Sequence, residues 1–149
     1  MPSFLKHSFI CFFLLFFIAS CKKDEQPLSN VPELDFISVS PGTVKEYQDS
    51  ITFTIAYKDG NGDIGENDPN AKNLYLSDSR NGVVYQYRVK ELAPKGSSIS
   101  IEGKLNIVLK NTGITNGSTS QSVSYSIYLN DRAGNKSNVV NSPAITVNK

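Results

Sequence analysis

The chain predicts an all-β protein: a single antiparallel, two-sheet sandwich of seven strands, built from residues 32–149. Three observations predict it. Apolar residues alternate with polar ones at period two in runs of strand length, and no stretch holds a helical period. Gly, Asn, Asp and Pro punctuate those runs at short intervals. The length left after an N-terminal leader is about 130 residues, enough for one core and not two.

The runs follow in order. Residues 34–39 form the first, closed by Pro41-Gly42, a turn pair. Residues 50–58 form the second and clearest: Ile51, Phe53, Ile55 and Tyr57 share one face, with Thr52, Thr54 and Lys58 opposite. The third is 73–77, with Leu74 and Leu76 together. Asn81-Gly82 then marks a hairpin, since both residues tolerate positive φ. The fourth is 83–92, with Val83, Tyr85, Tyr87 and Val89 on one side. The fifth is 99–109, in which Ile99, Ile101, Leu105, Ile107 and Leu109 keep the period across Gly103, a position that suits a bulge. After a polar loop over 111–121 comes the sixth, 122–130, carrying Val123, Tyr125, Ile127 and Leu129. The seventh is 139–147, where Pro143 marks an edge or bend. Seven short antiparallel runs close as a sandwich, or alternatively as a small open barrel.

Residues 1–20 read as a cleaved leader. Lys6 and His7 supply a positive start, 9–18 is a bulky apolar run, and small residues precede Cys21. Ten apolar residues are too short for a bilayer that takes about 20. Ile18-Ala19-Ser20-Cys21 resembles the lipobox of bacterial lipoproteins. The resemblance implies that Cys21 becomes the first residue of the mature chain, its sulfur carrying a diacylglycerol and its amino group an acyl chain such as palmitate. More than one chain gives a durable membrane anchor. Residues 21–31 then form the lipidated cysteine and a flexible, charged tether. The cluster Lys22-Lys23-Asp24-Glu25 is similar to the export signal of Bacteroidota surface lipoproteins, which implies an outer-membrane protein facing the cell exterior; the periplasmic face is the alternative.

Composition excludes more than it selects. Fifteen basic residues less Lys6 leave 14 against 14 acidic ones, so the mature chain is formally neutral, with no basic patch for nucleic acid. The only histidine is His7, and the cysteines are Cys11 and Cys21. The mature chain therefore has no imidazole base, free thiol, disulfide or Cys/His zinc site. The expectation is a protein that is not an enzyme.

One loop carries chemistry. In 59–68, Asp-Gly-Asn-Gly-Asp-Ile-Gly-Glu-Asn-Asp, side-chain oxygens recur at every second position: Asp59, Asn61 and Asp63. Calcium takes six to eight oxygens, and the glycines let such a loop curl around it. Asp68, Asn67 or Glu66 and a carbonyl near Gly65 are candidates for further ligands. In a sandwich the loop after the sixth run lies at the same end, which adds Asp131. An EF-hand does not fit, because Ile64 stands where that loop needs glycine and Asn70 where it needs glutamate. The competing reading is ordinary Asp-Gly and Asn-Gly turn chemistry.

Tyr75, Tyr85, Tyr87 and Arg88 offer a glycan- or peptide-contacting face, although the alternation of Tyr85 and Tyr87 places them against the core. Tyr125 is placed to act as a corner tyrosine near the start of the sixth strand. Segment 128–138, YLNDRAGNKSN, looks like the turn before the last strand of bacterial immunoglobulin-like repeats. Together with the lipobox, the charged spacer and residues 57–65, it resembles small lipoproteins of Bacteroidota with an immunoglobulin-like or fibronectin type III-like domain. The resemblance implies a location and a fold but no activity; the expectation is a lipid-anchored binding or structural module for a glycan or envelope-protein ligand, with calcium in the 59–68 loop as a candidate stabilising ion. The alternatives are an accessory subunit of an envelope complex and an enzyme using Asp59, Asp63 and Asp131.

Overall fold

The computed structural model describes residues 27–149; the leader, Cys21 and residues 22–26 lie outside the described residues. The described residues form ten strands: β1 Glu33–Ser40, β2 Thr43–Lys45, β3 Ser50–Asp59, β4 Leu74–Asp78, β5 Val84–Tyr87, β6 Ile101–Lys110, β7 Ser120–Val123, β8 Tyr125–Leu129, β9 Val140–Asn141 and β10 Ile145–Asn148. No helix occurs among the described residues. The strands form three sheets, ordered β1-β3-β6, β2-β10-β7 and β5-β4-β8-β9.

This corrects the expected seven antiparallel strands in three ways. The sixth run divides at Ser124 into β7 and β8, and the seventh divides around Pro143 into β9 and β10. In each case the chain leaves one sheet and joins another. The third difference is β2, three residues long, which pairs with β10 in parallel. Gly103 is not a bulge. Its register against Tyr57 is regular, and a side chain there would meet the Tyr57 ring, with Cζ 2.9 Å from an added Cβ. The register shift lies instead in β1, between Phe36 and Ser38.

Inward faces follow the period-two pattern. Ile51, Phe53, Ile55, Leu74, Leu76, Ile107, Leu109, Val123, Ile127, Leu129, Ile145 and Val147 are buried in one cluster fed by all three sheets. Each fully buried aliphatic or aromatic side chain contributes about 1.5–3 kcal/mol. Phe53 of the first sheet meets Tyr125 of the third edge-on, with ring centroids 5.2 Å apart. Tyr85 and Tyr87 are partly buried against the core. Val83 and Ile99, expected inside, are exposed because β5 and β6 begin after them. The fourth run also ends early, at Tyr87. Beyond it the Asn73 side chain takes over the ladder, accepting from Val89 N at 2.6 Å and donating to Val89 O at 3.1 Å. Asn138 does the same for β1, accepting from Leu34 N at 2.7 Å and donating to Leu34 O at 2.8 Å.

Two ends result. At one, β1 begins, β3 ends, and the 59–73 loop meets the turn after β8. At the other lie 41–49, the 79–83 turn and the 111–119 loop.

Candidate functional site

The site begins with the alternation of β3. The period that buries Ile51, Phe53, Ile55 and Tyr57 also turns Asp59 inward, at the very end of the strand. Asp59 is 0 % exposed. Its Oδ2 accepts the Asp63 backbone N–H at 2.8 Å and so closes the loop on itself. Ile64, 1 % exposed, plugs the loop into the core. Gly62 and Gly65 have φ of 71° and 90°, and a Cβ on either would collide with the backbone of Ile99 or Lys90. The curl therefore needs glycine at both positions.

The turn after β8 packs on this loop: Arg132 N donates to Asp63 O at 3.0 Å. The Arg132 guanidinium donates to Gly65 O at 3.0 Å and to Gly62 O at 3.3 Å, and lies 3.7 Å from Glu91. The Gly65 carbonyl, a candidate ligand from the sequence, is thus engaged by an arginine.

Four side-chain oxygens at this end are buried and receive no hydrogen bond from an N–H or amide donor: Asp59 Oδ1, Asn61 Oδ1, Asp63 Oδ1 and Asn130 Oδ1. Leaving a buried acceptor unpaired costs about 1–3 kcal/mol, and more when it is charged. Burial holds the Asp59 carboxyl above its ordinary value of 3.8. The Asp63 amide opposes that rise, while the Asp63 and Asp131 carboxylates add to it.

The other sequence candidates have different duties. Asp131 is near, but its Oδ1 accepts from Asn135 N at 2.7 Å and its Oδ2 from Asn135 Nδ2 at 2.8 Å. It holds its own turn together. Asp68 is exposed, and its Oδ1 caps Asn70 N at 2.8 Å. Glu66 Oε1 accepts from Asn67 N at 2.9 Å. Asn67 itself donates to Glu91. Among the described residues no three His, Cys, Asp or Glu side chains gather as a metal-ligating group. The unpartnered set is mixed instead, two carboxylates and two carboxamides.

Sequence reasoning missed Asn130. It continues β8 past Leu129, its backbone N–H bound to Asn73 O at 2.8 Å. It also missed the Asp78–Arg80 pair at the opposite end. There Arg80 Nη2 lies 2.7 Å from Asp78 Oδ2, and Arg80 Nη1 donates to Gly113 O at 2.8 Å. Tyr125 is buried, its hydroxyl 3.5 Å from Thr112 Oγ1. Tyr75 stacks on Tyr128 with centroids 4.8 Å apart, and Lys136 Nζ sits 3.9 Å over the Tyr128 ring.

The described chain arrives at the same end. Gly60 N donates to Ser29 O at 2.7 Å, between the two loop residues Asp59 and Asn61. Comparison with protein-family models, with curated proteins and with solved structures returns no match.

Proposed function

We propose that the chain is a lipid-anchored module of the bacterial envelope, an immunoglobulin-like sandwich that holds binding loops away from an outer membrane. In this reading β7 with β8, and β9 with β10, are each one bent strand. The second and third sheets then act as one curved layer facing β1-β3-β6, with β2 on its far edge beside β10. The observation that carries the reading is where the chain meets the domain. Ser29 is tied to Gly60 at the Asp59 end, and the covalent reach from Cys21 to Leu28 is at most about 25 Å. With lipid on Cys21, that end faces the membrane.

The opposite end then points outward. The ten residues of β3 separate the two ends by roughly 30 Å. The outward end carries Tyr47, 65 % exposed, the 79–83 turn and the polar 111–119 loop. Arg80 ties the last two together through Gly113 O, so they form a braced surface suited to a glycan or an envelope protein. Binding fits better than catalysis, because a fully covered Asp59 offers no substrate access to its carboxylate.

The test is partition of the full-length protein expressed in a Gram-negative host. The native chain should enter the detergent phase, and mass spectrometry should find acyl groups on an N-terminal Cys21. Cys21→Ser should move it to the aqueous phase. A native chain that stays aqueous with a bare thiol overturns the anchor. Protease treatment of intact cells then separates the exterior from the periplasmic face.

A further inference from the structure

We propose that Asp59, Asn61, Asp63 and Asn130 hold one calcium ion through their Oδ1 atoms. The site does not rest on the anchor: it would bind in a chain released from the membrane as well as in one attached to it. All four atoms are buried, and none receives a hydrogen bond from an N–H or amide donor. Asp59 is fully covered, so bulk solvent does not satisfy its free oxygen. All four are acceptors, and two belong to carboxylates. A water molecule offers only two hydrogens, and no charge to set against two anions. The nearby cation, Arg132, spends its guanidinium on Gly62 O, Gly65 O and Glu91.

The donor set selects the ion. Every ligand atom is a hard oxygen, which disfavours zinc and copper. Neutral amide oxygens and a strongly covered setting suit calcium, which accepts six to eight oxygens in irregular geometry at about 2.3–2.6 Å. Magnesium keeps several waters and demands a near-octahedral shell. Two charged ligands with two neutral ones match the weaker affinity range of extracellular modules, about 10⁻⁴–10⁻³ M. Asp131 adds negative charge nearby without donating an atom, since both its oxygens serve Asn135.

The four residues come from two elements at the same end of the fold, whose backbones meet where Arg132 N donates to Asp63 O. Asp59, Asn61 and Asp63 come from the glycine-rich curl, and Asn130 from the end of β8. A cation there would clamp the first sheet to the third at the end where the chain arrives.

The experiment uses the full mature chain in detergent, stripped with EDTA and titrated with CaCl₂. The expected result is one calcium per chain by calorimetry, with Tm rising by about 10 °C at a hundredfold excess over Kd. Asp63→Asn and Asn130→Ala should each weaken binding at least tenfold, and Asp68→Asn should leave it unchanged. Because Asp59 is buried and its variants risk misfolding, Asn61→Ala is the second ligand-side probe. Identical melting curves in millimolar calcium and in EDTA overturn the proposal; the two asparagines would then turn their amide nitrogens inward and donate to the carboxylates. Full binding in Asp63→Asn and Asn130→Ala, or loss in Asp68→Asn, overturns the ligand set.

Discussion

Asp78→Ala should be among the most damaging single substitutions in the domain. The Asp78 side chain is 0 % exposed and that of Arg80 is 7 % exposed. The pair is bidentate, with Arg80 Nε 3.0 Å from Oδ1 and Nη2 2.7 Å from Oδ2. Asp78 Oδ1 also accepts the Arg80 backbone N–H at 2.9 Å. Removing the carboxylate strands a guanidinium away from water, and breaking a buried pair in this way costs about 3–5 kcal/mol. With an unfolding entropy of about 2.1 cal/mol/K per residue over some 120 residues, Tm should fall by roughly 12–20 °C. Differential scanning calorimetry measures it. Asp78→Ala with Arg80→Met should cost less than Asp78→Ala alone, because the second change removes the stranded charge. The 111–119 loop should loosen in both variants, since Gly113 O loses or weakens its Arg80 donor; amide exchange reports that. A loss below 1 kcal/mol for Asp78→Ala, or a double variant as unstable as the two single ones added, would refute the reasoning.

Two further outcomes follow from burial and close contact. Burial pushes the Tyr87 hydroxyl up to about 12, and raises Tyr85 and Tyr125 as well. The folded state then keeps protons that the unfolded chain gives up near pH 10, so stability is full below pH 10 and declines as pH rises toward 12. Tyrosinate absorbance should lag that of free tyrosine and then jump with unfolding; a titration that follows free tyrosine would contradict it. Gly60→Ala should expel the arriving chain, since its Cβ would meet the carbonyl oxygens of Leu28 and Ser29. The Gly60 amide should exchange faster and 27–32 should become more protease-sensitive, and unchanged protection would count against the contact.

Much of the fold was legible because one face is buried, and a period-two pattern records that fact directly. Ile51 to Tyr57 and Val123 to Leu129 could be read without coordinates. The split between β7 and β8 could not: the inward parity runs unbroken through Val123 and Tyr125, and only the neighbouring strand changes. β2 is three residues of ordinary composition, too short for a period. At the candidate site, Asp59, Asn61 and Asp63 announced themselves by spacing. Asn130 did not, because an asparagine just after a strand reads as ordinary turn chemistry. Asp68 was over-read, since nothing in a sequence separates an aspartate that caps its own turn from one that turns inward.

The route by which the chain joins the domain also has a mechanical side. On the anchored reading, any drag on the outward loops becomes tension along the tether and into the start of β1. That strand lies antiparallel to β3 from Glu33 to Ser40, and Asn138 grips Leu34 by both backbone groups. Ladder bonds stand perpendicular to the strands, so a pull along β1 loads them in shear, all together, instead of peeling them one at a time. A domain moored by this strand is suited to stay folded while it is tugged.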